Sequence, residues 1–169
     1  MEPLSILFGG AFTVAAAWSL GRRILARPHL APEAFLTGAA ALSLIVFAAA
    51  ALHLAYPAVF AAIGAAAIAL GGRAGKRPRL ACSLWLVPFI PYFLLYLANA
   101  MAPEVSPDGA AYHLGMVDRY LRTHGLERIT TNMYASLSQG MEMLFLFAFA
   151  FGRHSAAAMV HFACLLALV

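Results

Sequence analysis

GAAALSLIVFAAAAL, residues Gly38 to Leu52, decides the fold, because apart from Ser43 every position is apolar and a helix wound from it is apolar on all faces. A helix of that kind belongs in the core of a large protein or in a membrane. The composition of the 169-residue chain selects the membrane. Its hydrophobic share is 63%, its charged share 11%, and its mean hydropathy +0.83. Soluble domains run at roughly half apolar and about a quarter charged.

Working outward, apolar blocks recur at about Leu4–Leu20, Ala34–Tyr56, Pro57–Leu70, Leu80–Ala98, Leu137–Phe151 and Ala156–Val169. Several approach the ~20 residues that a helix needs to cross ~30 Å of hydrocarbon. The pattern predicts an all-α fold, a polytopic membrane helical bundle of about six transmembrane helices. Membrane β-strands would instead alternate polar and apolar over ~10 residues. Two units are expected: an N-terminal three-helix membrane segment over 1–79, and a second unit over 80–169 with one helix, a long outward loop at 99–136 and two further helices. Pro88 and Pro91 predict a kink in the fourth block.

The net charge of +4 comes from 11 Lys and Arg against 7 Asp and Glu. Arg22, Arg23 and Arg27 form one cluster, and Arg73, Lys76, Arg77 and Arg79 another. Both lie beside apolar blocks, which marks cytoplasmic loops rather than a nucleic-acid surface. Two crossings separate them, so the two assignments agree. They place the N-terminus, the His53–Pro57 turn and the loop 99–136 outside, with Arg153 and His154 back in the cytoplasm. The expected setting is a multi-pass protein of a bacterial-type inner membrane, with lipid as a partner and no nucleic acid. The first block has no cation before it and no small-residue cleavage site after it, so it is expected to stay as a helix. Cys82 and Cys164 fall at or inside apolar blocks, where free cysteine acts as a small apolar side chain; neither a disulfide nor a metal is assigned to them.

The longest polar stretch, MAPEVSPDGAAYHLGMVDRYLRTHGLERITTNMYASLSQGMEM from Met101, carries the residues with chemical potential. Ser106 followed by Pro107 reads as an N-cap with proline at the first helical position, and Gly125 as the left-handed residue after the helix end. The helix so bounded, about Pro107 to His124, would set Ala110, Leu114, Val117 and Leu121 on one face and lie on the membrane surface. Asp108, in its first turn, suits a general base; the same position also suits a carboxylate favoured by the helix dipole. Glu104 is a second acid, and the pair could share a divalent cation. Tyr112, four residues on, should share the face of Asp108, with His113 beside it. Arg119, Arg122 and Arg128 match the geometry of a phosphate, though arginines so placed also meet lipid headgroups or pair locally. Glu142 lies just inside the re-entry to the bilayer, where a carboxylate is costly and tends to face a cavity or a partner. His53, His154 and His161 lack the paired spacing of a metal site and read as structural.

SPDGAAYHLGMVDRYLRTHG at 106–125, with ITTNMYASLSQGMEMLFLF at 129–147, resembles the first outward loop of GT-C superfamily membrane glycosyltransferases, of the family 39 or dolichyl-phosphate-mannose protein mannosyltransferase-like kind. The resemblance implies transfer of a sugar from a polyprenyl-phosphate-linked donor to an acceptor hydroxyl outside, with inversion at the anomeric carbon and no nucleotide. Asp108 matches that family's loop acid. By the same resemblance, positive residues would stabilise the departing lipid phosphate; with the loop's own residues this makes Glu104, Tyr112, His113, Arg119, Arg122, Arg128 and Glu142 the expected substrate-binding set. The match covers roughly the last 70 residues and rests on one short motif and its topology. Four apolar blocks precede this loop where the family usually has one crossing, so the first three look like an addition. The chain stops at Val169 within an apolar block, so an N-terminal portion of a longer transferase is expected, inactive on its own. The rival expectation is a non-enzymatic membrane subunit or scaffold, and a transporter ranks last because no paired broken segments are seen.

Overall fold

A computed structural model describes residues 3–25, 31–72 and 84–168, and these are helical with no strand among them. Helices α1 (Pro3–Leu25), α2 (Ala31–Ala51) and α3 (Pro57–Gly72) come first in the chain. A 3-10 turn (Leu84–Phe89) leads into α4 (Ile90–Met101), the loop carries α5 (Leu114–Arg122), and α6 runs over Gly140–Leu168. By length and composition three runs, α1, α2 and the whole of Gly140–Leu168 counted end to end, are long and apolar enough to cross a membrane. Large apolar side chains such as Leu44, Leu94 and Leu95 are exposed on the surface. Lipid suits that surface and water does not.

Small residues bring α1 and α2 together. Gly21 and Gly38 oppose one another so closely that a Cβ on Gly21 would strike the Ala34 carbonyl and one on Gly38 the Ala17 carbonyl. Ala17 and Gly21 on one helix, and Ala34 and Gly38 on the other, are four apart. This is the small-residue spacing that lets backbones touch where lipid removes the hydrophobic drive. An aromatic cluster ties in the rest: the Phe147 ring of α6 lies 5.7 Å from both Phe12 of α1 and Phe60 of α3.

α2 is shorter than the predicted block because His53 adopts φ 57° and closes the helix. The His53 amide donates to Ala50 O (3.1 Å) and the Leu54 amide to Ala49 O (2.8 Å), the paired bonds of a left-handed helix end. Pro57 then opens α3, as its fixed φ favours. Pro88 falls in the 3-10 turn and Pro91 in the first turn of α4, so the prolines start that helix rather than kink it.

α6 is not one straight rod. Gly152 (φ −140°) and Arg153 (φ 56°, ψ −147°) leave helical geometry, and the rings of Phe145 and His161 lie 6.1 Å apart. Sixteen residues of straight helix would separate them by about 24 Å. The run is therefore two limbs, 140–151 and 154–168, folded against each other, matching the two separate blocks read from the sequence. The first limb, with Met143 to Phe149 all buried, forms the centre of the molecule. The second runs along α1 and α4, with Met159 against Gly10 and Phe162 stacked on Tyr96.

The bend corrects one expectation. Arg153 was expected on the opposite side of the membrane from the loop, yet its Nη1 lies 3.3 Å from Asp118 Oδ1 of α5. The Ser155 hydroxyl also donates to the carbonyls of Met101 (3.3 Å) and Ala102 (3.2 Å). The reason is length: a limb of about 12 residues spans roughly 18 Å and cannot cross ~30 Å. Arg27 and the cluster Arg73, Lys76, Arg77 and Arg79, with Cys82, lie outside the described residues. Cys164 is a buried free cysteine.

Candidate functional site

The loop docks on the far end of α2. The amides of Ala55 and Leu126 donate to His124 O (2.9 Å) and Ala50 O (3.0 Å), and the His124 ring stacks on Tyr56 at 3.9 Å. The left-handed residue that ends α5 is His124 (φ 59°), not Gly125 as expected. Gly125 serves close approach instead, since a Cβ there would meet the His53 ring.

Ser106 caps the loop's helical turn as predicted, its Oγ accepting from the Gly109 amide at 3.0 Å. Glu104 Oε1 in turn accepts from the Ser106 hydroxyl (2.6 Å) and amide (2.8 Å). Those two bonds, the hydroxyl first, hold the Glu104 carboxyl below its ordinary value. Glu104 is thus occupied in shaping the turn.

From there the helix is not regular. Residues Gly109–His113 form a π turn, closed by the Leu114 amide on Gly109 O, five residues back. In an α-helix Asp108 would lie beneath Tyr112; the wider turn places it against His113. His113 Nε2 faces Asp108 Oδ2 at 3.9 Å, while Nδ1 lies 2.7 Å from Glu142 Oε1. Glu142 is buried (4% exposed) and Asp108 open, its side chain 75% exposed. A carboxyl, an imidazole and a carboxyl therefore run in line from the interior to the surface. Burying Glu142 without a partner would be costly, and His113 provides that partner.

Tyr112 moves to the flank, its ring tilted against those of His113 (4.1 Å between centroids) and Tyr134 (4.7 Å). Desolvation first, then the Glu142 and Asp108 charges, push its phenol above the ordinary value. Asn132 holds this connection in place, accepting from the Tyr134 amide at 3.0 Å and donating to Ala111 O at 3.4 Å. Beneath the turn, a cavity of about 230 Å³ is lined by Glu104, His113, Leu114, Met141, Phe145 and His161, among others. His161, read as structural, thus faces this cavity, and no sequence spacing marked it.

The expected apolar stripe is only partly the buried face of α5. Leu114, Met116, Val117 and Tyr120 are buried, Leu121 partly so, and Ala110 is exposed, because the π turn shifts the register at its start. That face packs on α6. The three loop arginines do not converge. Arg122 pairs with Asp118 (2.6 Å), Arg119 with Glu127 (3.3 Å), and Arg128 lines a separate hollow beside Thr130 and Asn132. Among the described residues no group of three or more His, Cys, Asp or Glu side chains is arranged to hold a metal ion.

Compared with known proteins, the chain matches no family model, no curated protein and no solved structure.

Proposed function

We propose that this chain is the acceptor-side part of a membrane glycosyltransferase of the GT-C kind, which moves a sugar from a polyprenyl phosphate to a hydroxyl at the outer face. The observation that carries the reading is the open Asp108 carboxyl, backed by His113, a residue that itself lines a cavity of about 230 Å³. Polar groups and the apolar side chains of Leu114, Met141 and Phe145 line that cavity together. Exposed Val105, Met133, Tyr134 and Leu137 on the same loop suit contact with a lipid boundary.

In this reading Asp108 takes the proton of the acceptor hydroxyl. The freed oxygen bonds to the anomeric carbon from the face opposite the phosphate, and the bond from that carbon to the phosphate oxygen breaks, with its electron pair leaving on the phosphate. The configuration inverts. Asp108 is the catalytic residue; Tyr112 and Tyr134 offer an aromatic wall for a sugar, and of the three loop arginines Arg128, which has no carboxylate pair among the described residues, is the one to meet a phosphate.

The pairing of Arg119 and Arg122 with Glu127 and Asp118 favours a second reading, a non-enzymatic subunit whose loop is held rigid by ion pairs. One assay separates the two. Membranes containing the chain are supplied with a radiolabelled polyprenyl-phosphate sugar and hydroxyl acceptors, and transfer is compared between wild type and Asp108→Asn. The transferase reading expects a loss of at least about 10²-fold in the variant. Equal transfer in the two favours the subunit.

A further inference from the structure

Two contacts of His113 differ in kind. Nδ1 meets the buried Glu142 oxygen at 2.7 Å, a length typical of a charge-assisted hydrogen bond, while Nε2 looks across 3.9 Å to the open Asp108. A neutral imidazole carries one proton, and the nitrogen in the shorter contact with an acceptor takes it. We propose that Glu142 fixes His113 with its proton on Nδ1, leaving the Nε2 lone pair turned to Asp108. His113 is then the positioning residue that receives the proton Asp108 removes from the acceptor.

The proton balance is simple. Asp108 gains the acceptor's proton as the new glycosidic bond forms and passes it to Nε2, regenerating the Asp108 carboxylate and giving an imidazolium whose charge Glu142 balances. His113, 37% exposed in its side chain, then releases the proton to solvent. A small rotation of the exposed Asp108 side chain closes the remaining gap. The other titratable groups around the imidazole are Tyr112 on its flank and Glu104 and His161 in the shared cavity wall, where no lysine or arginine stands among the described residues. The relay rests on the transferase reading; the tautomer rests on geometry alone.

Both are tested with the full chain in lipid nanodiscs. Imidazole nitrogens are observed by NMR after 15N-histidine labelling, and the His113→Asn variant identifies the His113 signals by their loss. The expected neutral form carries its proton on Nδ1; a proton on Nε2 overturns the inference. His113→Asn keeps an amide donor toward Glu142 but has no basic nitrogen toward Asp108. Its expected transfer rate is lower by on the order of 10²-fold, with the acid limb of the pH–rate profile moved to lower pH. A wild-type profile in His113→Asn, with Asp108→Asn inactive, ends the relay and leaves the transferase reading standing. Undiminished transfer in Asp108→Asn ends both, while the tautomer result still stands or falls separately.

Discussion

Asp108 and Glu104 are four residues apart and chemically alike, but their surroundings give them different work. Glu104 holds the Ser106 amide and hydroxyl, and the folded chain keeps its carboxyl below the ordinary value of 4.5. A carboxyl lowered on folding contributes stability above its unfolded value and loses it as pH falls through the folded one. Acidification below about pH 4.5 is therefore expected to loosen the loop, and Glu104→Gln to remove that component of acid sensitivity. Ser106→Ala removes the cap as well and is expected to cost about 1 kcal/mol. Thermal unfolding in detergent between pH 3 and 7 checks all three. Every acid of the site could be picked from the sequence, since carboxylates are few and Glu142 stands at the edge of an apolar block. What could not be read was their pairing. GAAYH has no apolar pattern by which a π turn differs from an α turn, so the sequence reading put Tyr112 over Asp108 where the structure puts His113.

At the scale of elements, the π turn is what brings Asp108 and His113 together, and it has a direct test. Deleting Ala110 or Ala111, both exposed, shortens the turn to ordinary helical spacing and leaves His113 four residues after Asp108, so that the two still share a face. Transfer is expected to be retained to within a few-fold and unfolding temperature to change by only a few degrees, because the pairing survives; a fall as deep as in His113→Asn would show that the π turn itself is needed. The α1–α2 contact makes the opposite prediction. Gly38→Leu has no room against the Ala17 carbonyl, and a loss of about 3 kcal/mol or failure to fold is expected from detergent unfolding, with Ser43→Leu on the same helix close to neutral. The apolar blocks were legible because an all-apolar helix has few places to go. The ends of α2 and α5 were less so, because histidine rather than glycine takes the left-handed position at both.

For the molecule as a whole, the described residues gather into two ends. At one, the C-terminal end of α1 meets the start of α2 through Gly21 and Ala34, and the end of α3 through Ser19 and Gly71. At the other, the turn after α2, the loop with Asp108 and the bend of α6 are joined by hydrogen bonds and the Asp118–Arg153 ion pair. Charge clusters suggested which end lies inside, but reading α6 as two full crossings sent Arg153 to the wrong end. Apolar length counts residues and does not reveal a chain that turns back within the bilayer.

The proposal depends on the Asp108 end being a single outward face, and side-specific labelling tests this most directly. Val105, Arg153 and Arg23 are each replaced by cysteine in a chain with Cys82 and Cys164 changed to serine, and intact cells are treated with a membrane-impermeant maleimide. Labelling at 105 and 153 together, and at 23 only after the cells are opened, is the expected result. Positions 105 and 153 reacting from different sides, or position 105 reacting only in opened cells, would contradict the account.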